Sequence, residues 1–258
     1  GIELGLETLL TEARRVQQYG FTVSELERQK TAVLRALQKS FDERGKQDSD
    51  RYASEYIRNF LQNEPIPGIT YEYELHKKLL PGITLEEVNA LAGNWVNAQN
   101  RVIVVSTPEK EGLAAPTEEQ LQNVITKVAS ADISAYEDDA VDLPLLAETP
   151  KAGKVVDEKY FESVDVTEWT LDNGVKVVLK PTDFKNDEIR FTSFSPGGTS
   201  FVKTEDLIPA QTASSVVFEC GFGAFNKIQL QKQLTGKVVR VTPGIGELTE
   251  AGWNSENF

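Results

Sequence analysis

Methionine is missing from this chain of 258 residues, which holds one cysteine and one histidine. It has no apolar run approaching the roughly 18 residues that cross a bilayer, and no basic-then-apolar signal sequence opens it, so membrane insertion is not expected. Cys220, being alone, cannot form an intrachain disulfide, and its place in the run Val216-Val217-Phe218-Glu219-Cys220 predicts a buried thiol. Basic residues are also scarce: 27 Lys plus Arg face 40 Asp plus Glu, a formal charge of −13. A surface so acidic repels phosphate backbones and anionic lipid, which excludes nucleic acid as a partner. With no initiator residue, and with Gly1-Ile2-Glu3-Leu4 reading at once as helix, the expectation is an excised or processed piece. Compartment stays open between periplasm and cytoplasm.

What the chain does have is enough apolar residues for a core and a clear change of periodicity along its length. Leu6, Leu9, Leu10, Ala13 and Val16 recur at helical spacing over 4–19, and Gly20 ends that helix. Thr22-Val23-Ser24-Glu25 has the form of a capping box, opening a long helix striped by Leu26, Lys30, Val33, Leu34, Leu37 and Phe41. Tyr52, Ala53, Tyr56, Ile57, Phe60 and Leu61 stripe a third helix, which Pro65-Ile66-Pro67-Gly68 breaks. A fourth helix is expected over 71–80. A second capping box, Thr84-Leu85-Glu86-Glu87, opens a fifth that carries Val88, Leu91, Ala92 and Trp95. Arg101-Val102-Ile103-Val104-Val105-Ser106 is short, β-branched and apolar on both faces, the pattern of a central strand. Five helices and one lone strand predict the closing half of an α+β domain whose earlier strands lie elsewhere. Without neighbours for 102–105, the chain should self-associate through an uncovered sheet edge or leave that region poorly ordered.

From Pro108 the pattern weakens. A short helix is expected over 118–129, and then Asp132, Glu137, Asp138, Asp139, Asp142 and Glu148 gather before Lys151. This stretch reads as a solvated connector, and the spacing of Asp138, Asp139 and Asp142 lacks the glycine and terminal glutamate of a calcium loop.

Trp169-Thr170-Leu171, Asp172-Asn173-Gly174 and Val175-Lys176-Val177-Val178-Leu179 predict a hairpin turned by Asn-Gly. A third strand is expected over 189–194, stopping at Ser195-Pro196-Gly197-Gly198. A helix around Pro209 to Gly221 follows, its buried side marked by Ala213, Val216, Val217 and Cys220. Asn226-Lys227-Ile228-Gln229 caps another short helix, 237–242 is a strand closed by Pro243-Gly244, and 247–258 completes no element. The fold class is therefore α+β. Its expected parts are a helix-rich domain portion at 1–110, an acidic linker at 111–165, and a second α+β domain portion at 166–258.

No catalytic, cofactor-binding or metal-binding residue is assigned. His76 sits among cations in Leu75-His76-Lys77-Lys78, and Glu74, two residues away, lies on another helical face. A nucleophile at Cys220 or Ser214-Ser215 would need that one imidazole as its base, so packing is the expected role of all three. Gly197-Gly198 and Gly221-Phe222-Gly223 are too short for a phosphate cradle.

The order of these features resembles the pitrilysin/insulinase family of zinc metallopeptidases, whose two similar halves, each of two α+β domains, are hinged around a chamber. Residues 20–30, Gly-Phe-Thr-Val-Ser-Glu-Leu-Glu-Arg-Gln-Lys, are similar to the opening of a long helix late in the first half. Leu80-Pro81-Gly82-Ile83-Thr84 with Glu87-Val88, and 101–106 ending in Thr107-Pro108, are similar to the close of that domain. Residues 169–198 resemble the entry to the second half. The resemblance implies a peptide-cleaving parent with zinc as cofactor. It also implies a His-x-x-Glu-His motif, which the helix near 209–221 lacks. That helix would then belong to the inactive half, with the metal-bearing domain before Gly1 and the substrate-facing arginine and tyrosine past Phe258. On this reading the chain is a non-catalytic, chamber-forming portion, inactive alone and holding no cofactor. Its partners are the parent's other domains and, in the intact protein, peptide substrate. The alternatives are an inactive, partner-binding scaffold on the same fold, or an unrelated helical adaptor joined to a small sheet domain.

Overall fold

The computed structural model describes residues 1–95, 101–107, 114–140 and 143–253. Helices come first: α1 (Ile2–Tyr19), α2 (Val23–Asp42), α3 (Ser49–Gln62), α4 (Ile69–Leu79), α5 (Leu85–Trp95) and α6 (Glu118–Ser130). Strands β1 (Val155–Phe161), β2 (Val166–Leu171), β3 (Lys176–Leu179) and β4 (Thr192–Pro196) follow. Then come α7 (Leu207–Cys220), α8 (Lys227–Gln233), β5 (Thr242–Ile245) and β6 (Thr249–Trp253). The class is α+β, as expected. The chain divides into two compact units, Gly1–Thr31 with His76–Asp139 and Ala32–Leu75 with Ala140–Phe258.

In the first unit both predicted capping boxes form. Thr22 Oγ1 accepts the Glu25 N–H at 3.3 Å while Glu25 Oε2 accepts the Thr22 N–H at 2.8 Å. At α5 the corresponding distances for Thr84 and Glu87 are 3.2 and 2.8 Å. Asn89 on α5 holds the turn between α1 and α2, its Oδ1 accepting the Phe21 N–H at 2.8 Å. The core is small: Val124, Val128 and Ile133, with Leu6, Leu10 and Ala131 packed against them.

The Thr84 backbone N–H first, and its hydroxyl second, hold the Glu87 carboxyl below the ordinary glutamate value of 4.5. A lowered folded value means the cap's contribution is present above 4.5 and is lost as pH falls through the lowered value. Thr84→Ala is expected to destabilise α5 by about 1 kcal/mol. Calorimetry at neutral and acid pH checks this, the difference from wild type shrinking on acidification.

In the second unit β1-β2-β3 form one antiparallel sheet and β4-β6-β5 another. The hairpin is present, but its loop has three residues. Leu171 N–H donates to Val175 O at 2.9 Å, and Gly174 alone takes a positive φ, 84°. β4 starts at Thr192, three residues later than expected, and pairs with β6, so it does not extend the hairpin sheet.

Other expectations are corrected. β1 lies inside the stretch read as connector. Its charged Asp157-Glu158-Lys159 centre hides the strand pattern while suiting an exposed edge. β6 lies in the tail read as featureless and is the central strand of its sheet, Gly252 facing Ser193 and Pro243. The 237–242 strand is displaced to β5, where Pro243 is tolerated because β5 is an edge strand. Residues 101–106 form no strand, and Val102 and Val104 are 85 % and 84 % exposed. With no ladder partner among the described residues, β-propensity alone does not make a strand. On α7, Val216, Val217 and Cys220 are exposed, contrary to the expected buried side.

Candidate functional site

Among the described residues no group of three His, Cys, Asp or Glu side chains converges to hold a metal ion. Those residues therefore offer no fitting ligand set for the zinc that the family resemblance implies. His76 lies half-buried in the last turn of α4 beside Lys77 and Lys78, and Glu74, two residues earlier, is exposed. Cys220 and Ser215 are exposed on α7, while Ser214 on the same helix is half-buried.

The glycine pair after β4 is no phosphate cradle, because the backbone donors around it are engaged. Gly197, Thr199 and Ser200 N–H groups donate to the carbonyls of Leu248, Gly246 and Glu247 at 2.9, 2.9 and 2.8 Å. They lock β4 to the β5–β6 turn. At the second glycine motif the Phe222 N–H donates to Phe225 O at 2.9 Å, closing the corner between α7 and α8.

The acidic stretch does more than the sequence foretold. Its first part, through Asp138, folds as a strap on the first unit. Tyr19 OH donates to Ile133 O at 2.6 Å, Arg15 Nη1 donates to Ser134 O at 2.5 Å, and Arg14 donates to Val128 O. Arg28 closes on Asp138 at 2.7 Å, and the Ser24 hydroxyl donates to the same carboxylate. That carboxylate thus sits at the first turn of α2, where the helix dipole favours negative charge. No charge excess on α1 and α2 announces this pairing, since Arg14, Arg15 and Arg28 sit among acidic residues of the same helices. Of the candidate cation cluster, Asp138 is committed to Arg28 and Ser24, and Asp142 lies outside the described residues.

The pair is largely shielded, with the Arg28 and Asp138 side chains 21 % and 14 % exposed. Asp138→Asn is expected to cost about 1.5–3 kcal/mol, the value of a hydrogen bond to a charged group. Limited proteolysis should then cut at 131–140 sooner than in wild type, and unchanged cutting would show that the strap holds without the clasp.

The nearby depression lined by Glu12, Arg15, Ser134, Ala135, Tyr136 and Glu137 offers no free cation. Arg15 is already bonded to both Glu12 oxygens, at 3.0 and 3.2 Å, as well as to Ser134. What the described residues present most plainly is uncovered apolar surface. On α3, Tyr56, Ile57, Phe60 and Leu61 are 58 %, 57 %, 84 % and 69 % exposed and share one face. The helix is held through its other groups, Arg51 Nη2 donating to Ser40 Oγ at 3.0 Å and Tyr52 OH to Arg44 O at 3.1 Å. No helix among the described residues is long and apolar enough to cross a membrane, so lipid-spanning helices do not explain this surface.

No family model matches the chain. Over 224 residues, 85% of its length, it is 30% identical to an Arabidopsis thaliana protein named zinc protease PQQL-like, and spans 23% of that relative. It is 21% identical over 218 residues to the probable zinc protease PqqL of Haemophilus influenzae, covering 84% of this chain and 23% of the relative. The Escherichia coli protein of the same name is 22% identical over 260 residues, covering 96% of this chain and 25% of the relative. The chain thus spans about a quarter of the length of the curated relatives it matches. A similar fold occurs in the crystal structure of the ferredoxin protease FusC in complex with Arabidopsis ferredoxin. There the TM-score is 0.50 at 18% identity, over 96% of this chain and 28% of that one.

Proposed function

We propose, from the premise that the chain is pitrilysin/insulinase-like and related to zinc proteases, that it supplies non-catalytic wall to a zinc-dependent peptidase chamber. The observation that carries this is the uncovered apolar face of α3, where Tyr56, Ile57, Phe60 and Leu61 are 58 %, 57 %, 84 % and 69 % exposed. A contiguous apolar face of this kind marks a surface made to be covered by protein, and neighbouring domains of a polypeptide about four times as long would supply the cover. The domain portions 1–110 and 166–258, with the acidic segment 111–165 between them, are part of this proposal.

Peptide hydrolysis by the parent, with zinc as its cofactor, belongs to the same reading. No residue of this chain is given a step in it. A metal-assisted hydrolase needs convergent ligands and an open coordination position, and those are assigned to other parts of the parent.

Sequencing the reading frame that carries this chain tests the reading. A His-x-x-Glu-His motif elsewhere in that frame supports the peptidase. Its absence would overturn the peptidase in favour of a scaffold subunit on the same fold.

A further inference from the structure

We propose that Glu43 is a releasable latch that pins the loop between β3 and β4 to the end of α2. Glu43 follows the last residue of α2 and is 6 % exposed. Its Oε1 accepts the backbone N–H groups of Asn186 and Asp187 at 2.6 and 2.7 Å. Polar bonds surround this pair. Asn186 Nδ2 donates to Asp42 O at 2.8 Å, Arg35 pairs with Asp187 at 2.6 Å, Lys185 Nζ donates to Lys46 O at 3.2 Å, and Lys46 donates to Asp183 O. Residues 183–187 therefore fasten to 35–46 across more than 130 positions of sequence.

Apolar burial does little of this work, since Phe184 and Ile189 are 77 % and 84 % exposed. Two features make the fastening releasable. Glu43 Oε2 is buried and has no hydrogen-bond donor, and Glu188 Oε2, beside the latched segment, is in the same state. A buried carboxylate oxygen without a donor disfavours the closed arrangement, and opening to water relieves it. The Arg35 and Asp187 side chains, 24 % and 35 % exposed, also leave their ion pair within reach of salt screening. Such a segment opens locally while its surroundings stay folded. Because β3 belongs to one sheet and β4 to the other, the latch decides whether the connection between the two sheets is pinned or free.

Hydrogen exchange on the 258-residue chain, read at residues 181–190, tests the latch. In wild type the Asn186 and Asp187 amides should be protected, yet exchange at least about tenfold faster than the β2–β3 ladder, and faster still in about 1 M salt. Glu43→Ala should speed exchange at 183–188 at least about tenfold and leave the ladder unchanged. Asn186→Ala, on the exposed side of the contact, should give a smaller rise at the same residues and guards against a Glu43 variant that fails to fold. Wild-type amides at 186 and 187 as slow as the ladder would show a permanent contact and overturn the proposal. So would variants that leave 183–188 unchanged, or that loosen the ladder equally.

Discussion

Gly221→Ala is expected to destabilise the corner between α7 and α8 by about 3 kcal/mol or more. Gly221 takes φ 91° and ψ −155°, a backbone region open essentially to glycine alone. A Cβ there would stand 2.1 Å from Phe225 O and 2.7 Å from the Asn226 carbonyl carbon. Those atoms cannot step aside. Phe225 is 2 % exposed and bridged to Phe222, and Asn226 is fixed by its own capping box, its side chain accepting the Gln229 N–H at 2.9 Å. Backbone strain and steric overlap therefore add. The internal control has the opposite sign: Gly5, inside α1, has nothing within 4 Å of its ideal Cβ, and Gly5→Ala should stabilise by about 0.5–1 kcal/mol. Urea melts of both variants measure the contrast. Equal effects would mean that the α7–α8 corner is looser than its geometry implies.

The chain in isolation should self-associate. The α3 face alone exposes Tyr56, Ile57, Phe60 and Leu61 together, and a helix of 14 residues with an uncovered apolar stripe draws little stability from its own backbone. For the 258-residue chain alone in solution, a second copy is the partner at hand. Replacing Ile57 and Phe60 by glutamate removes two large apolar contacts of about 1.5–3 kcal/mol each and adds like charge to a chain already at −13. Sedimentation at matched concentrations should show the association constant falling at least about a hundredfold. A monodisperse wild-type monomer would mean that this surface is tolerated by water and has no need of a cover.

Much of the helical architecture was legible because it is encoded locally. Thr22 with Glu25, Thr84 with Glu87 and Asn226 with Gln229 are four-residue signals, and each marks a helix start in the structure. The hairpin was legible for the same reason, its Asp172-Asn173-Gly174 loop being a local turn signal. What escaped is non-local. β6 reads Thr-Glu-Ala-Gly-Trp, a poor strand by propensity, and exists because β4 and β5 flank it on both sides. β1 was hidden by the charges that suit it to an edge. Residues 101–106 failed in the opposite sense, being strong in propensity and lacking a ladder among the described residues. The Asp138 strap and the Glu43 latch join residues more than a hundred positions apart, and charge alone does not say which partners meet.

Whether this chain is non-catalytic is decided by zinc content together with peptide turnover of the 258 residues. Substoichiometric, weakly held zinc and no cleavage above background are the expected results, because one imidazole beside Lys77 and Lys78 is the chain's whole stock of histidine. One equivalent of tightly bound zinc, or peptide cleavage that a chelator abolishes and added zinc restores, would contradict them.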